Sequence, residues 1–397
     1  MLCHTKTCQE SLRCGEERLQ WVASNSQGGD PVNSRERTLY ALSHAEPDRV
    51  PIDLWLSAGM VHQVQRMLGL SGDALRDRYD VDLRYIEGPK YVGPPLRRFA
   101  DGSQEDIWGV RRRQVTIHTP EGEETYKELA WSPLASMDDV DEIDAYEHWP
   151  KPDWFDYSTI EAQCEAIRRQ GRAVVFMGDR LNRIAQLKPA MYLRGIEQIL
   201  LDMALQPELA QAILRRIRAF YCAYATRIFE AAKGKLDIVL MGDDFGSQRG
   251  LLVSPDMWLC FLGDGFAEYV TLAKSYGLWV MHHTCGAVRP IIPLLIERGL
   301  DVLQSLQPEA VGMDPRELKS QFGDRLSFHG GISIQRTLPY GSPEEIRREV
   351  HDRIDALAAD GGYILCTSHN IQADTPLQNV LALLEAYHAY GNYWGGR

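Results

Sequence analysis

The sequence predicts a single (β/α)8 barrel, and three observations predict it. Short apolar runs recur along the chain, and each is followed by a longer stretch with helical spacing. Most of the runs are continuously apolar, as parallel strands covered on both faces are. Polar residues gather at the C-terminal ends of the runs, which is where such a barrel carries its chemistry.

Taken in order, residues 34–42 (SRERTLYAL) have helical spacing, with Ser34 as the expected N-cap. Glu46-Pro47-Asp48 ends that helix, and residues 50–55 (VPIDLW) alternate as a first strand. Seven further strands are expected at 81–87, 173–179, 236–244, 278–285, 300–306, 326–331 and 362–369. The helices between them fall at 207–233, 254–276, 288–298, 315–322 and 343–359. The stretch 88–150 departs from this rhythm. It alternates around Pro120-Glu121-Gly122 and predicts a β-hairpin inserted after the second strand, with Arg111-Arg112-Arg113 on a solvated face. Residues 1–33 form an N-terminal extension and 34–397 the barrel domain. No internal repeat or linker-like stretch argues for a second domain.

A formal charge of −12 over 397 residues argues against a nucleic-acid partner. No apolar stretch approaches the roughly 20 residues that span a bilayer. The first twenty residues lack the apolar core of a signal peptide, and the eight cysteines are mostly scattered singly. A cytoplasmic, reducing location is the expectation. Cys3, His4, Cys8 and Cys14 cluster in the extension, where a polar, loosely ordered tail competes with a small metal knuckle.

The strand ends form a ring of polar groups. Asp53 and Trp55 close the first strand, Glu87 the second, Asp179 the third and Asp243-Asp244 the fourth. His282-His283-Thr284-Cys285 ends the fifth, Gln304 and Gln307 follow the sixth, His329 lies in the seventh, and Cys366 and His369 close the eighth. Side chains two apart on a strand share a face, so His283 and Cys285 point into one space and His282 faces away. Cys366 approaches that space from another strand end. One nitrogen and two sulfur donors with an open fourth position make a catalytic zinc site rather than a structural one. Cys164, Cys222 and Cys260 fall in helical patterns and read as core.

Five stretches carry a resemblance over about residues 34–393: RERTLYALSHAEPDRVPIDLW, MGDDFGSQRGLLVSP, HHTCGAVRPIIPLLIERGLDVLQSLQPEAVGMDP, FHGGISIQ and GGYILCTSHNIQADTPLQNVLALLEAY. With these the chain resembles the uroporphyrinogen decarboxylase superfamily, which implies the barrel. The superfamily has two branches. The decarboxylases carry an arginine-rich stretch after strand one that grips the carboxylates of a tetrapyrrole. Here that stretch reads DLWLSAGMVHQVQRM, with no arginine before Arg66. The other branch comprises zinc-dependent methyltransferases that exchange methyl groups with a corrinoid protein. Its pattern of His-x-Cys at one strand end and a distant Cys near the last strand matches His283, Cys285 and Cys366.

The resemblance thus implies a zinc methyltransferase acting on a small methylated substrate or thiol. The corrinoid (cobalamin) must be carried by a partner protein, because this chain has no Asp-x-His-x-x-Gly corrinoid motif. Asp243 and Asp244 are candidates for a substrate acceptor, a proton handler or a fourth zinc position, and alternation lets only one face inward. His369 matches a histidine common across the superfamily, with a role in substrate contact or proton donation. Asp53, Trp55, Gln304 and Gln307 complete the expected substrate-binding set, although the two glutamines could equally satisfy loop backbone. Homodimerisation is left open. The competing readings are a metal-free lyase of the decarboxylase branch acting on a smaller carboxylic acid, and a catalytically silent barrel in a larger assembly.

Overall fold

The computed structural model describes residues 32–178 and 183–393. The Cys3, His4, Cys8, Cys14 cluster and Asp179 lie outside the described residues. Helix α1 (Ser34–Leu42) is capped by Asn33 rather than Ser34. The reason is spacing. Asn33 places Glu36 at the third helical position, where their side chains and backbone N–H groups bond reciprocally, whereas Ser34 would place Arg37 there.

Nine strands matter here: β1 (Leu83–Ile86), β2 (Arg111–His118), β3 (Glu123–Trp131), β4 (Ala173–Phe176), β5 (Ile238–Gly242), β6 (Trp279–His283), β7 (Val302–Leu306), β8 (Ser327–Ile332) and β9 (Tyr363–Thr367). Seven of them form one parallel sheet in the order β1-β4-β5-β6-β7-β8-β9, so chain order and spatial order agree. The sheet curls on itself. The expected first strand, residues 50–55, is not a full ladder strand. It lies between β9 and β1 as a bridged ribbon, with Asp53 N donating to Leu365 O and Asp82 N donating to Ile52 O. Pro51 has no N–H to give, and the Asp82 carboxylate takes the N–H of Ile52, so a continuous ladder cannot form.

The helices cover the outside: α2 (Leu187–Arg194), α3 (Pro207–Ala232), α4 (Asp264–Ser275), α5 (Pro315–Phe322), α6 (Pro343–Leu357) and α7 (Leu377–Tyr390). The pattern expected at 254–276 is helical throughout but passes through a π-turn at Leu259–Gly263 before α4. The pattern at 288–298 is broken by Pro290 and Pro293 into a 3-10 turn and one short helix.

The inserted hairpin is present, with β2 and β3 antiparallel from Arg111↔Trp131 to His118↔Glu123. Its arginines are not all solvated. Arg112 is buried against Asp106 at 2.8 Å, and Arg111 stacks over Phe99 and Trp131. Cys164 is buried as expected, whereas Cys260 is exposed. Among the described residues no helix is long and apolar enough to cross a membrane.

Two apolar clusters follow from the period-2 alternation of the strands. Ala173, Val175, Ile238, Leu240, Met281, Val302 and Ile364 fill the inside of the curl. Their out-facing neighbours, among them Val174, Val239, Val280 and Leu303, join the larger core under the helices. Two residues beyond the inner core on the same face come Gly242, His283, Gln304 and Cys366. The inner core therefore aims those four positions at the mouth.

Candidate metal centre and its cleft

His283 sits in register with Gly242 on one side and Gln304 on the other. Its Nδ1–H donates to Gln304 Oε1 at 2.5 Å, which leaves Nε2 as a free donor atom facing Cys285 Sγ at 3.5 Å. Burial, with Arg183 adding to it, pushes the imidazole well below its usual range, so it is neutral. Gly286 makes the turn after Cys285 at φ +87°, where a Cβ would come within 2.5 Å of Ser247 O. Glycine there lets the cysteine loop lie against the loop at 246–247.

The aspartate pair separates cleanly. Asp243 is buried with both carboxylate oxygens committed to the start of α2, accepting from Gln186 N at 2.6 Å, Leu187 N at 3.1 Å and Lys188 N at 2.7 Å. Burial raises its pKa to about 6 against the pull of those N–H groups. Asp244 faces the centre. Its Oδ1 lies 3.6 Å from His283 Nε2 and accepts from Cys285 N at 3.1 Å, and its Oδ2 accepts from Lys188 Nζ at 2.6 Å. Burial opposes its charge, but the Lys188 ammonium, helped by the Cys285 N–H, holds the carboxyl below the ordinary range.

Ligand-type atoms of His283, Cys285 and His369 all lie within 4.8 Å of one another. Cys366, the expected third ligand, stands instead in a neighbouring buried group with Asp53 and His329, also within 4.8 Å. Trp55 packs against both groups, stacked on His283 at 6.1 Å and tilted against His329 at 5.9 Å. It is held there by a chain of hydrogen bonds. Trp55 Nε1 donates to Tyr85 OH at 2.8 Å, and Tyr85 OH donates to Asp53 Oδ2 at 2.5 Å. His329 Nε2 meets the same Asp53 oxygen at 2.9 Å.

The two glutamines do different things. Gln304 fixes the His283 ring, and Gln307 Oε1 accepts from Gly286 N at 2.8 Å and so supports the cysteine loop. His282 faces away as alternation requires, stacked on Phe245 at 5.1 Å and held neutral by burial, which lowers its pKa to about 3. Glu87 is exposed.

Tyr85, Lys188, Arg183 and Ser305 were not expected from the sequence. Tyr85 shares the inner face with Leu83 of the inner core, so alternation alone could have found it. Arg183 lies in the connection after β4 and Lys188 in the first turn of α2, where no pattern marks them.

The donor set fits zinc. With metal bonds of about 2.1 Å to nitrogen and 2.3 Å to sulfur, a tetrahedral site separates those atoms by about 3.6 Å, close to the 3.5 Å seen here. The Gln304 bond to the opposite ring nitrogen is the support that metal-ligating histidines have. Beside the centre opens a small cleft lined by Trp108, Arg112, Arg183, Ala185, Lys188, Pro189, Tyr192, Tyr221 and Gly242. It holds three cationic side chains and no acidic one. Arg112 and Trp108 reach it from the inserted segment.

A curled parallel sheet with nitrogen and sulfur donors at its C-terminal end defines an α/β barrel-like fold with a candidate site at its mouth. The uroporphyrinogen decarboxylase (URO-D) family model matches residues 132–390, and the chain belongs to that family. Uroporphyrinogen decarboxylase of Coxiella burnetii (strain Dugway 5J108-111) is 24% identical over 188 residues, 46% of this chain and 47% of that protein. Uroporphyrinogen decarboxylase of Roseiflexus sp. (strain RS-1) is 25% identical over 198 residues, 47% of this chain and 51% of that one. The chain thus spans about half the length of these curated relatives. Among solved structures, a methyltransferase from Methanosarcina mazei superposes with a TM-score of 0.61 at 18% identity, over 90% of this chain and 99% of that one. That likeness is one of fold.

Proposed function

We propose that residues 34–397 form one catalytic barrel, a zinc-dependent methyltransferase. It moves a methyl group between a small methylated substrate or thiol and a corrinoid carried on a partner protein. The carrying observation is the His283–Cys285 pair, with Nε2 and Sγ 3.5 Å apart and the other ring nitrogen bound to Gln304. Cys366 is the third ligand in this proposal, and the neighbouring Asp244 is the carboxylate available to a fourth position. When bound, zinc would supply Lewis acidity and hold a thiolate at neutral pH.

The chain's own groups do the rest. Burial pushes the Cys285 thiol up to about 12, so a cation at this position is what the sulfur needs to lose its proton. Gln304 keeps the free lone pair of His283 aimed at the centre. Lys188 and Asp244 form an ion pair at the boundary between centre and cleft, where a proton can be held next to the reacting atoms. The aromatic walls of Trp108, Tyr192 and Tyr221 exclude water from the substrate. His369, within ligand distance of the pair, is placed to contact substrate.

Elemental analysis of purified protein tests the metal, and methyl transfer to cob(I)alamin tests the reaction. About one zinc per chain is expected. It should be lost in Cys285→Ala and Cys366→Ala but kept in His369→Ala, with methyl transfer lowered in all three. Zinc lost in His369→Ala and kept in Cys366→Ala would make His369 the third ligand. Wild type without zinc would favour the metal-free lyase suggested by the name of the curated relatives.

A further inference from the structure

Strand β7 carries an irregularity that the proposed function does not use. Its register against β8 slips between Gln304 and Leu306, and Ser305 takes a left-handed backbone, φ +76°. In a regular strand Ser305 would face outward, opposite to Gln304. Here Leu303 and Leu306, three apart, both join the outer core, which leaves two consecutive residues on the inner side. Gln304 meets the ring of His283, and Ser305 Oγ lies 3.5 Å from Cys285 Sγ. The same hydroxyl donates to Ser368 O, in the segment that joins Cys366 to His369.

The neighbouring strand makes room for this. Gly330, at φ +118°, would carry a Cβ only 2.9 Å from Leu306 N. A non-glycine residue at positive φ is strained and persists only where its surroundings fix it.

We propose that Ser305 is a positioning residue, a clamp that ties the Cys285 sulfur to the Cys366–His369 segment so that ligands from two strand ends face one metal ion. The clamp rests on the metal reading of the centre. Its chemistry is that of one hydroxyl between two partners. The Ser305 proton bonds the Ser368 carbonyl, and the oxygen faces the Cys285 sulfur.

Two variants separate strain from hydrogen bonding. Ser305→Gly removes the hydroxyl and makes φ +76° costless, and Ser305→Ala removes the hydroxyl but keeps the strain. The probe is Co(II) alone, titrated into metal-free full-length protein. Affinity is read by chelator competition and sulfur ligation by the thiolate-to-cobalt charge-transfer band. Both variants should bind at least about tenfold more weakly with an altered band, as loss of a ligand-supporting contact does. Ser305→Gly should nonetheless unfold no earlier than wild type. If Ser305→Gly matched wild type in affinity and band, the clamp would be overturned and the metal reading would stand. If wild type itself gave no thiolate band, the metal reading would fall and the clamp with it.

Discussion

At the residue scale, the side chains that face the centre were legible wherever a strand keeps its alternation. His283, Gln304 and Cys366 all fall on the strand face that carries the inner core. The same alternation left Asp243 and Asp244 undecided, because the choice depends on a helix N-terminus that the sequence does not place. Asp243 is the one drawn to the start of α2. Ser305 was illegible for a different reason, since a bulge and a positive φ on a serine leave no trace in a hydrophobic pattern. Gln304 offers a direct check of how the His283 ring is held. In Gln304→Leu the Nδ1–H loses its acceptor, so the ring is free to change tautomer. Metal affinity should drop by about 10–100-fold in a chelator competition assay. An unchanged affinity would mean that the ring is fixed by packing against Trp55 alone.

Elements were legible in existence and type, and less so in detail. The seven ladder strands lie where continuous apolar runs predict them, because parallel strands buried on both faces need such runs. The first run, residues 50–55, became a bridged ribbon because Pro51 and the Asp82 carboxylate compete with its ladder. The hairpin was visible from its turn, but the burial of Arg112 was not, since it needs Asp106 from outside the hairpin. The cysteine loop gives an element-scale test. Gly286→Ala would set a methyl group 2.5 Å from Ser247 O and 2.6 Å from Gly246 C, both backbone atoms, at a φ of +87°. A loss of about 2–4 kcal/mol in urea unfolding is expected, from strain and from the displaced loop. Gly250→Ala, with open space around it, should be close to neutral and serves as the control. Equal stability of the two variants would show that the 246–247 loop moves aside freely.

For the molecule as a whole, the chemistry lies at the C-terminal ends of the strands and an ionic lattice lies at the other end. Asp82, fully buried, accepts from Arg37 at 2.6 Å, from Arg49 at 2.7 Å and from Ile52 N at 2.8 Å. It thereby joins α1, the ribbon and the approach to β1. Asp82→Ala leaves two buried guanidinium groups with only their half-exposed partners Asp48 and Asp80 and should cost about 3 kcal/mol in denaturant unfolding. Metal content should be untouched, because no ligand is involved. The rim of the lattice sets the acid limb. Asp48 pairs with Arg37, and Asp80 pairs with Arg49 and Arg172. Burial opposes both charges, yet the arginines hold both carboxyls below their ordinary value of 3.8. A carboxyl whose pKa is lower folded than unfolded binds its proton first in the unfolded chain. Its stabilisation is therefore complete above pH 3.8 and is lost as pH falls through the folded value. Both side chains are about half exposed, at 46% and 51%, so water screens each pair to about 1 kcal/mol or less. The double variant Asp48→Asn, Asp80→Asn should be slightly less stable than wild type at pH 7 and lose less stability between about pH 4 and 2. Parallel acid-unfolding curves for the two proteins would place the acid sensitivity elsewhere in the barrel.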